Sequence, residues 1–125
     1  MTLPRIDIDD PEVDIDDGER LFYRGELFTG EVVEYQGSTL ISLETYQDGI
    51  VDGPVQQWFE DGTPRAEGNM RRGFPAGESR RWHPNGVLAA KRIMTEDGHR
   101  PLAELEWDES GEQTRSWYAP GFRQE

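Results

Sequence analysis

Gly49-Ile50-Val51-Asp52-Gly53-Pro54-Val55-Gln56-Gln57-Trp58-Phe59-Glu60-Asp61-Gly62 decides the fold, because its glycines and its tryptophan return at a fixed interval on both sides. Moving forward 24 residues turns Gly49, Gly53, Trp58 and Gly62 into Gly73, Gly77, Trp82 and Gly86, and a further 25 residues gives Gly98, Trp107 and Gly111. Moving back 24 residues from Gly49 lands on Gly25. A period of roughly 20 to 50 residues marks an array of like units, each too small to bury an apolar face alone.

Within each period the punctuation is that of a β-hairpin. Asp61-Gly62, Asn85-Gly86 and Ser110-Gly111 supply glycine where a tight turn demands a positive φ. Candidate strands run over 20–23, 31–35, 40–46, 55–60, 65–70, 78–83, 87–94, 102–108 and 113–118, and segment 71–77 turns one hairpin into the next. Segment 87–94 has a composition that suits a helix, but Asn85-Gly86 ahead of it and the phase of the repeat favour a strand. An isolated hairpin is marginal in water, so the units are expected to stack strand against strand. Trp58, Trp82 and Trp107 recur in phase, with Tyr35 in their place in the first unit. Burying one such ring removes about 150 to 250 Å² from water, about 4 to 6 kcal/mol gross, which makes them the expected spine of the sheet. A sheet has two faces and cannot hide both, so some of Trp58, Phe59, Trp82 and Trp107 are also candidates for an exposed patch covered by a partner.

The chain of 125 residues fits one domain. A hydrophobic fraction of 34% against 31% charged residues predicts a thin structure close to water. There is no cysteine, hence no disulfide framework or thiolate metal site, and the N-terminal residues lack the apolar run of a leader or membrane span, so a soluble, cytoplasmic protein is expected. The net charge of −13 is unevenly placed: residues 1–64 hold sixteen acids and three bases, 65–100 four and eight, 101–125 six and two. Such a chain should repel nucleic acid and anionic membrane and attract a basic partner; plain solubility is the competing explanation. The densest run, Asp7 to Glu19, alternates Ile and Val with acids; mutual repulsion favours a mobile arm over 1–19 rather than an edge strand.

Catalytic and metal chemistry find little to work with. The acids from Glu12 onward fail the calcium-loop spacing, because Asp17 stands where glycine is needed and Tyr23 where the bidentate Glu is needed. The two histidines, His83 and His99, fall at expected loop positions, and no glycine-rich phosphate loop leads from strand to helix. No enzyme activity, metal or cofactor is expected. Arg71, Arg72, Arg80, Arg81, Lys91, Arg92 and Arg100 fall close in sequence and admit two readings: a basic band for RNA or lipid phosphate, or cross-strand pairing with the many carboxylates, which is favoured.

The unit Gly49-x3-Gly53-x4-Trp58-x3-Gly62, repeated as Gly73-x3-Gly77-x4-Trp82-x3-Gly86 with the tip Trp82-His83-Pro84-Asn85-Gly86, resembles the MORN repeat (membrane occupation and recognition nexus) in its bacterial variant. The flanking units depart from it: Gly25 and Gly30 stand five apart, and Leu102 replaces the second glycine of the fourth unit. The resemblance covers about 20–118 and implies an all-β fold, an elongated single-layer antiparallel sheet of about four consecutive hairpins, followed by a tail at 119–125. It is similar to a family of antitoxin or immunity proteins that neutralise a toxin by binding it. The expected function is therefore non-catalytic binding of a basic toxin, a nuclease for instance, through Asp52, Trp58, Phe59, Glu60, Asp61, Trp82 and Trp107. The alternative is a scaffold that assembles as a homodimer or larger complex.

Overall fold

The computed structural model describes residues 3–122. They form an all-β molecule dominated by one nine-stranded sheet. Its body is an uninterrupted antiparallel meander: β5 (Gly30–Gln36), β6 (Thr39–Gln47), β7 (Ile50–Trp58), β8 (Pro64–Arg71), β9 (Phe74–Trp82), β10 (Leu88–Met94), β11 (Pro101–Trp107) and β12 (Gln113–Tyr118). The ambiguous segment 87–94 is a strand, as the repeat phase requires.

Two kinds of connection recur at the two ends of this sheet, with one exception at each: Gly37-Ser38 is a two-residue turn at the tip end, and Thr95 to Arg100, closed by the Thr95 N–H on Arg100 O at 2.9 Å, is a longer loop at the other. At one end are two-residue turns, Asp48-Gly49 and Arg72-Gly73, in which both residues have positive φ (50° and 83°, 49° and 87°), the turn type whose twist matches that of the strands it joins. At the other end are three-residue tips. Phe59 accepts from the Gly62 N–H and donates to Thr63 O, both at 2.9 Å, and the same pair of bonds closes His83 to Val87 and Asp108 to Glu112. Beyond every tip, one extra residue bulges from the returning strand. Ile41, Arg65, Ala89 and Thr114 each fall between two registered pairs with no partner of their own, so the bulge returns with the repeat. The second glycine of the motif marks another irregularity: Asp52 to Pro54 stand against Thr45 alone, and Gly77 to Ser79 against Gly68 alone. Where Leu102 replaces that glycine, the departure shrinks to one unpaired residue, Leu102 itself.

The N-terminal segment differs from the mobile arm expected of it. β1 (Arg5–Asp7) joins the edge of the sheet parallel to β5, and β2 (Val13–Ile15), β3 (Leu21–Tyr23) and β4 (Glu26–Leu27) form a second, three-stranded sheet. Repulsion within the acidic run is offset because its carboxylates serve as turn formers. Asp7 accepts from the Asp9 N–H and Asp10 from the Glu12 N–H, both at 2.8 Å, while Asp16 caps Gly18 and Arg20 at 3.0 and 2.8 Å. Of the alternating apolar residues, Ile6, Ile8 and Val13 pack inward while Ile15 stays exposed. Leu21, Phe28, Val32 and Tyr46 make the buried core, with Ile6, Ile8, Val13, Tyr23 and Val51 packed against it. The molecule is thus a single layer over most of its length and two layers at its N-terminal end. Residues 123–125 of the C-terminal tail lie outside the described residues; ahead of them Phe122 closes a turn onto Ala119 at 3.0 Å.

Candidate protein-binding surface

The tip of the second repeat is built from the end of β7 and the start of β8. Trp58 and Phe59 are half-buried there, and the Arg65 guanidinium lies 5.7 Å from the centre of the Phe59 ring. Glu60 is exposed and accepts a hydrogen bond from Gln36 Nε2, whose residue sits 24 positions earlier at the tip of the preceding repeat. Together with Glu34, Ile41, Ser42 and Gln57 these side chains line a shallow concavity of about 340 Å³.

Asp61 belongs to the same tip in a different capacity. Its Oδ1 accepts from the Thr63 N–H at 2.9 Å and the Thr63 hydroxyl at 2.6 Å, and those bonds, the hydroxyl first, hold its carboxyl below the ordinary range. Asp108 does the same with Ser110 and Glu112, and Asp97 with Thr95 and His99. These hydroxyl–carboxylate pairs resemble activated nucleophiles only in composition, since the acid oxygen is already occupied by backbone N–H groups that shape the turn.

Asp52 is not part of this cluster. It lies at the opposite end of β7, about 20 Å along the strand at ~3.3 Å per residue, where its Oδ2 accepts from the Arg72 N–H at 3.2 Å. Trp82 and Trp107 end β9 and β11 as Trp58 ends β7, so the three stand in a row at intervals of about 10 Å, two strand spacings each. All three are half-buried. The structure therefore gathers Trp58, Phe59, Glu60 and Asp61 at one tip, strings Trp82 and Trp107 along the same edge, and leaves Asp52 elsewhere. Glu34, Gln36 and Arg65 join the cluster without having been singled out in sequence; the 24-residue spacing of Gln36 and Glu60, one repeat period, is the signal from which their contact could have been read.

The tips are also where adjacent repeats are tied together. His83 Nε2 lies 2.8 Å from Trp107 O, and Asn85 Nδ2 donates to Glu109 O at 2.9 Å, each across 24 residues. His83, expected in an exposed loop, is half-buried and structural.

The basic band divides. Arg80 pairs with Glu67, Lys91 with Glu78 at 3.3 Å, and Arg92 with Glu104 at 3.7 Å, which is the cross-strand pairing favoured from sequence, and Arg80 also meets Glu78 along its own strand. Arg71, Arg72, Arg81 and Arg100 have no ion pair among the described residues. On the acidic half the balance is reversed. Of the sixteen acids in residues 1–64, Glu31 and Asp16 alone are ion-paired among the described residues, to Arg5 at 3.0 Å and Arg20 at 2.9 Å. Glu44, half-buried beside this surface, has its carboxyl pushed up by desolvation and secondarily by the charge of Glu34.

No helix of the described residues is long and apolar enough to cross a membrane. Compared with family models, with curated proteins and with solved structures, the chain matches none of them.

Proposed function

We propose that this chain is a non-catalytic, MORN-like protein-binding module that works in the cytoplasm as an antitoxin or immunity protein, covering the basic groove of a cognate toxin with its acidic half. One observation carries the reading: among the described residues, fourteen of the sixteen acids in residues 1–64 have no ion pair, whereas Arg80, Lys91 and Arg92 of the middle hairpins are paired strand to strand. Some of these acids, Asp7, Asp10, Asp52 and Asp61 among them, cap backbone N–H groups, but so much uncompensated charge on one half costs self-repulsion, and the gain we assign to it is electrostatic attraction of an opposite surface. A nuclease fits as the target, because its substrate groove is basic and must be blocked for neutralisation. Nucleic acid and anionic membrane would be repelled by the same surface.

Trp58 and Phe59 add apolar contact beside Glu34 and Glu60, giving the aromatic centre and charged surround common to binding hot spots. The test is co-expression with basic toxins encoded beside the gene, using wild type and a Glu34→Lys, Glu60→Lys double variant. Neither side chain caps backbone, unlike Asp52 and Asp61, so the variant should fold. The expected result is rescue by wild type and a loss of rescue with roughly tenfold slower association for the variant. Equal rescue by both would move the interface away from this surface, and absence of any rescue would remove the inhibitor reading.

A further inference from the structure

The nine-stranded sheet has two edges that differ in kind. β1 is three residues long, follows Pro4, carries Arg5 and Asp7, and is backed by the packed N-terminal layer. β12 is six residues long, and every one of its side chains is exposed. Trp117 and Tyr118 are 38% and 44% exposed, although they lie at the end of an ordered strand. β12 contains no proline and no lysine, and its single charge, Arg115, is already directed to Glu104 and Glu106 on β11. An edge strand without these protections is a template for another strand.

The hydrogen-bond pattern fixes which groups are open. Ala119 donates to Leu102 O at 2.8 Å, and antiparallel pairs alternate, so Trp117 faces β11 while Ser116 and Tyr118 turn their N–H and C=O groups away from it.

We propose that β12 is a dimerisation edge, and that its occupant is β12 of a second copy, antiparallel about a two-fold axis at Trp117. Ser116 of each copy then exchanges both backbone bonds with Tyr118 of the other. Trp117 meets its own counterpart in the closer, non-hydrogen-bonded type of pair, which suits aromatic contact. Centring the axis on Arg115 instead would set two guanidinium groups face to face. Charge selects this edge as well. Residues 1–64 hold sixteen acids and three bases, against six and two in 101–125. Joining copies at β12 places their β5 strands, each one strand in from the far edge of the continuous sheet, about 70 Å apart at ~4.8 Å per strand, many times the ~8 Å screening length at physiological salt. Any other edge-to-edge pairing would bring an acidic half to the interface. The dimer leaves both acidic surfaces free, so the inference stands independently of what they bind.

The test is light scattering on the full chain across concentration, with Ser116→Pro and a Trp117→Cys variant. Wild type should reach twice its 14.3 kDa mass and hold it at high salt, since the contacts are backbone and aromatic. Ser116→Pro removes an outward N–H and should give a folded monomer. The chain has no cysteine, so Trp117→Cys places one thiol on the axis, at a separation a disulfide can span, and mild oxidation should yield a covalent dimer. A Phe74→Cys control, exposed but far from β12, should not cross-link. A wild type that stays monomeric at all concentrations, a dimer indifferent to Ser116→Pro, or equal cross-linking of both cysteine variants would overturn the proposal. Should Ser116→Pro fail to fold, the contrast between the two cysteine variants decides the matter alone. A strand of another protein at this edge would show as wild type that dimerises with nothing of its own kind.

Discussion

At the residue scale, the recurrent glycines do more than one job. Gly49 and Gly62 both have positive φ, 83° and 89°, which a side chain adopts only at a cost. They differ in surroundings. A Cβ on Gly62 would meet nothing within 4 Å, whereas one on Gly49 would lie 2.7 Å from Leu27 Cδ2 and 3.0 Å from Leu21 O, where the small sheet packs against the turn. Gly62→Ala is expected to cost about 1 kcal/mol and Gly49→Ala about 3 kcal/mol or more, read from urea unfolding, because strain and overpacking add at the second site. The sequence showed that both positions need glycine; it did not show that one is also a packing contact, because the small sheet that makes it was hidden in an acidic run. Charge at single residues gives two pH limits. The Asp61, Asp97 and Asp108 carboxyls are held low by their turn bonds, so their contribution is complete above the ordinary carboxylate range and is lost as pH falls through their depressed values. Amide exchange at Thr63, His99 and Ser110 should accelerate there before the sheet melts. Tyr46 is the alkaline counterpart: desolvation first and Glu44 second push its hydroxyl up to about 12, so the stability it carries is full below about pH 10 and disappears as pH rises through 12.

At the element scale, the hairpin was legible from turn chemistry and the strand ends were not. β7 and β9 begin at Ile50 and Phe74, several residues before the points expected from sequence, because Gly53 and Gly77 look like breaks and are bulges within continuous strands. β1 and β2 are not legible in the acidic run, because like charges that repel in an extended chain also cap backbone N–H groups once it turns, as Asp7, Asp10 and Asp16 do. The in-phase tryptophans do not form the buried spine expected of them: Trp58, Trp82 and Trp107 are half-buried at strand ends, and the buried core is made of other residues, Leu21, Val32 and Tyr46 among them. Trp82→Ala should therefore cost about 2 kcal/mol, below the 3 to 5 typical of a fully buried ring. A denaturation midpoint unchanged from wild type would show that Trp82 is not a structural contact.

At the scale of the whole molecule, the repeat makes a sheet in which each hairpin contacts only its neighbours, tied tip to tip by bonds such as Asn85 to Glu109. Excising residues 50–73 removes one period and rejoins equivalent turns, so the shortened chain should still fold, with lower stability and unaltered β signature in circular dichroism. Charge gives the sheet a polarity from its acidic half to its basic middle. The blocks of charge could be counted from sequence, but which carboxylates are spent on ion pairs could not, because pairing depends on register: Lys91 reaches Glu78 across β9 and β10, while Glu34 has no cation opposite it. The measurement closest to the central claim is affinity isolation from the native cell at low and high salt with wild type and the Glu34→Lys, Glu60→Lys variant. One basic protein should be held by wild type at low salt, weakened by salt and lost with the variant; equal recovery by both chains, or a partner that is itself acidic, would overturn the electrostatic reading.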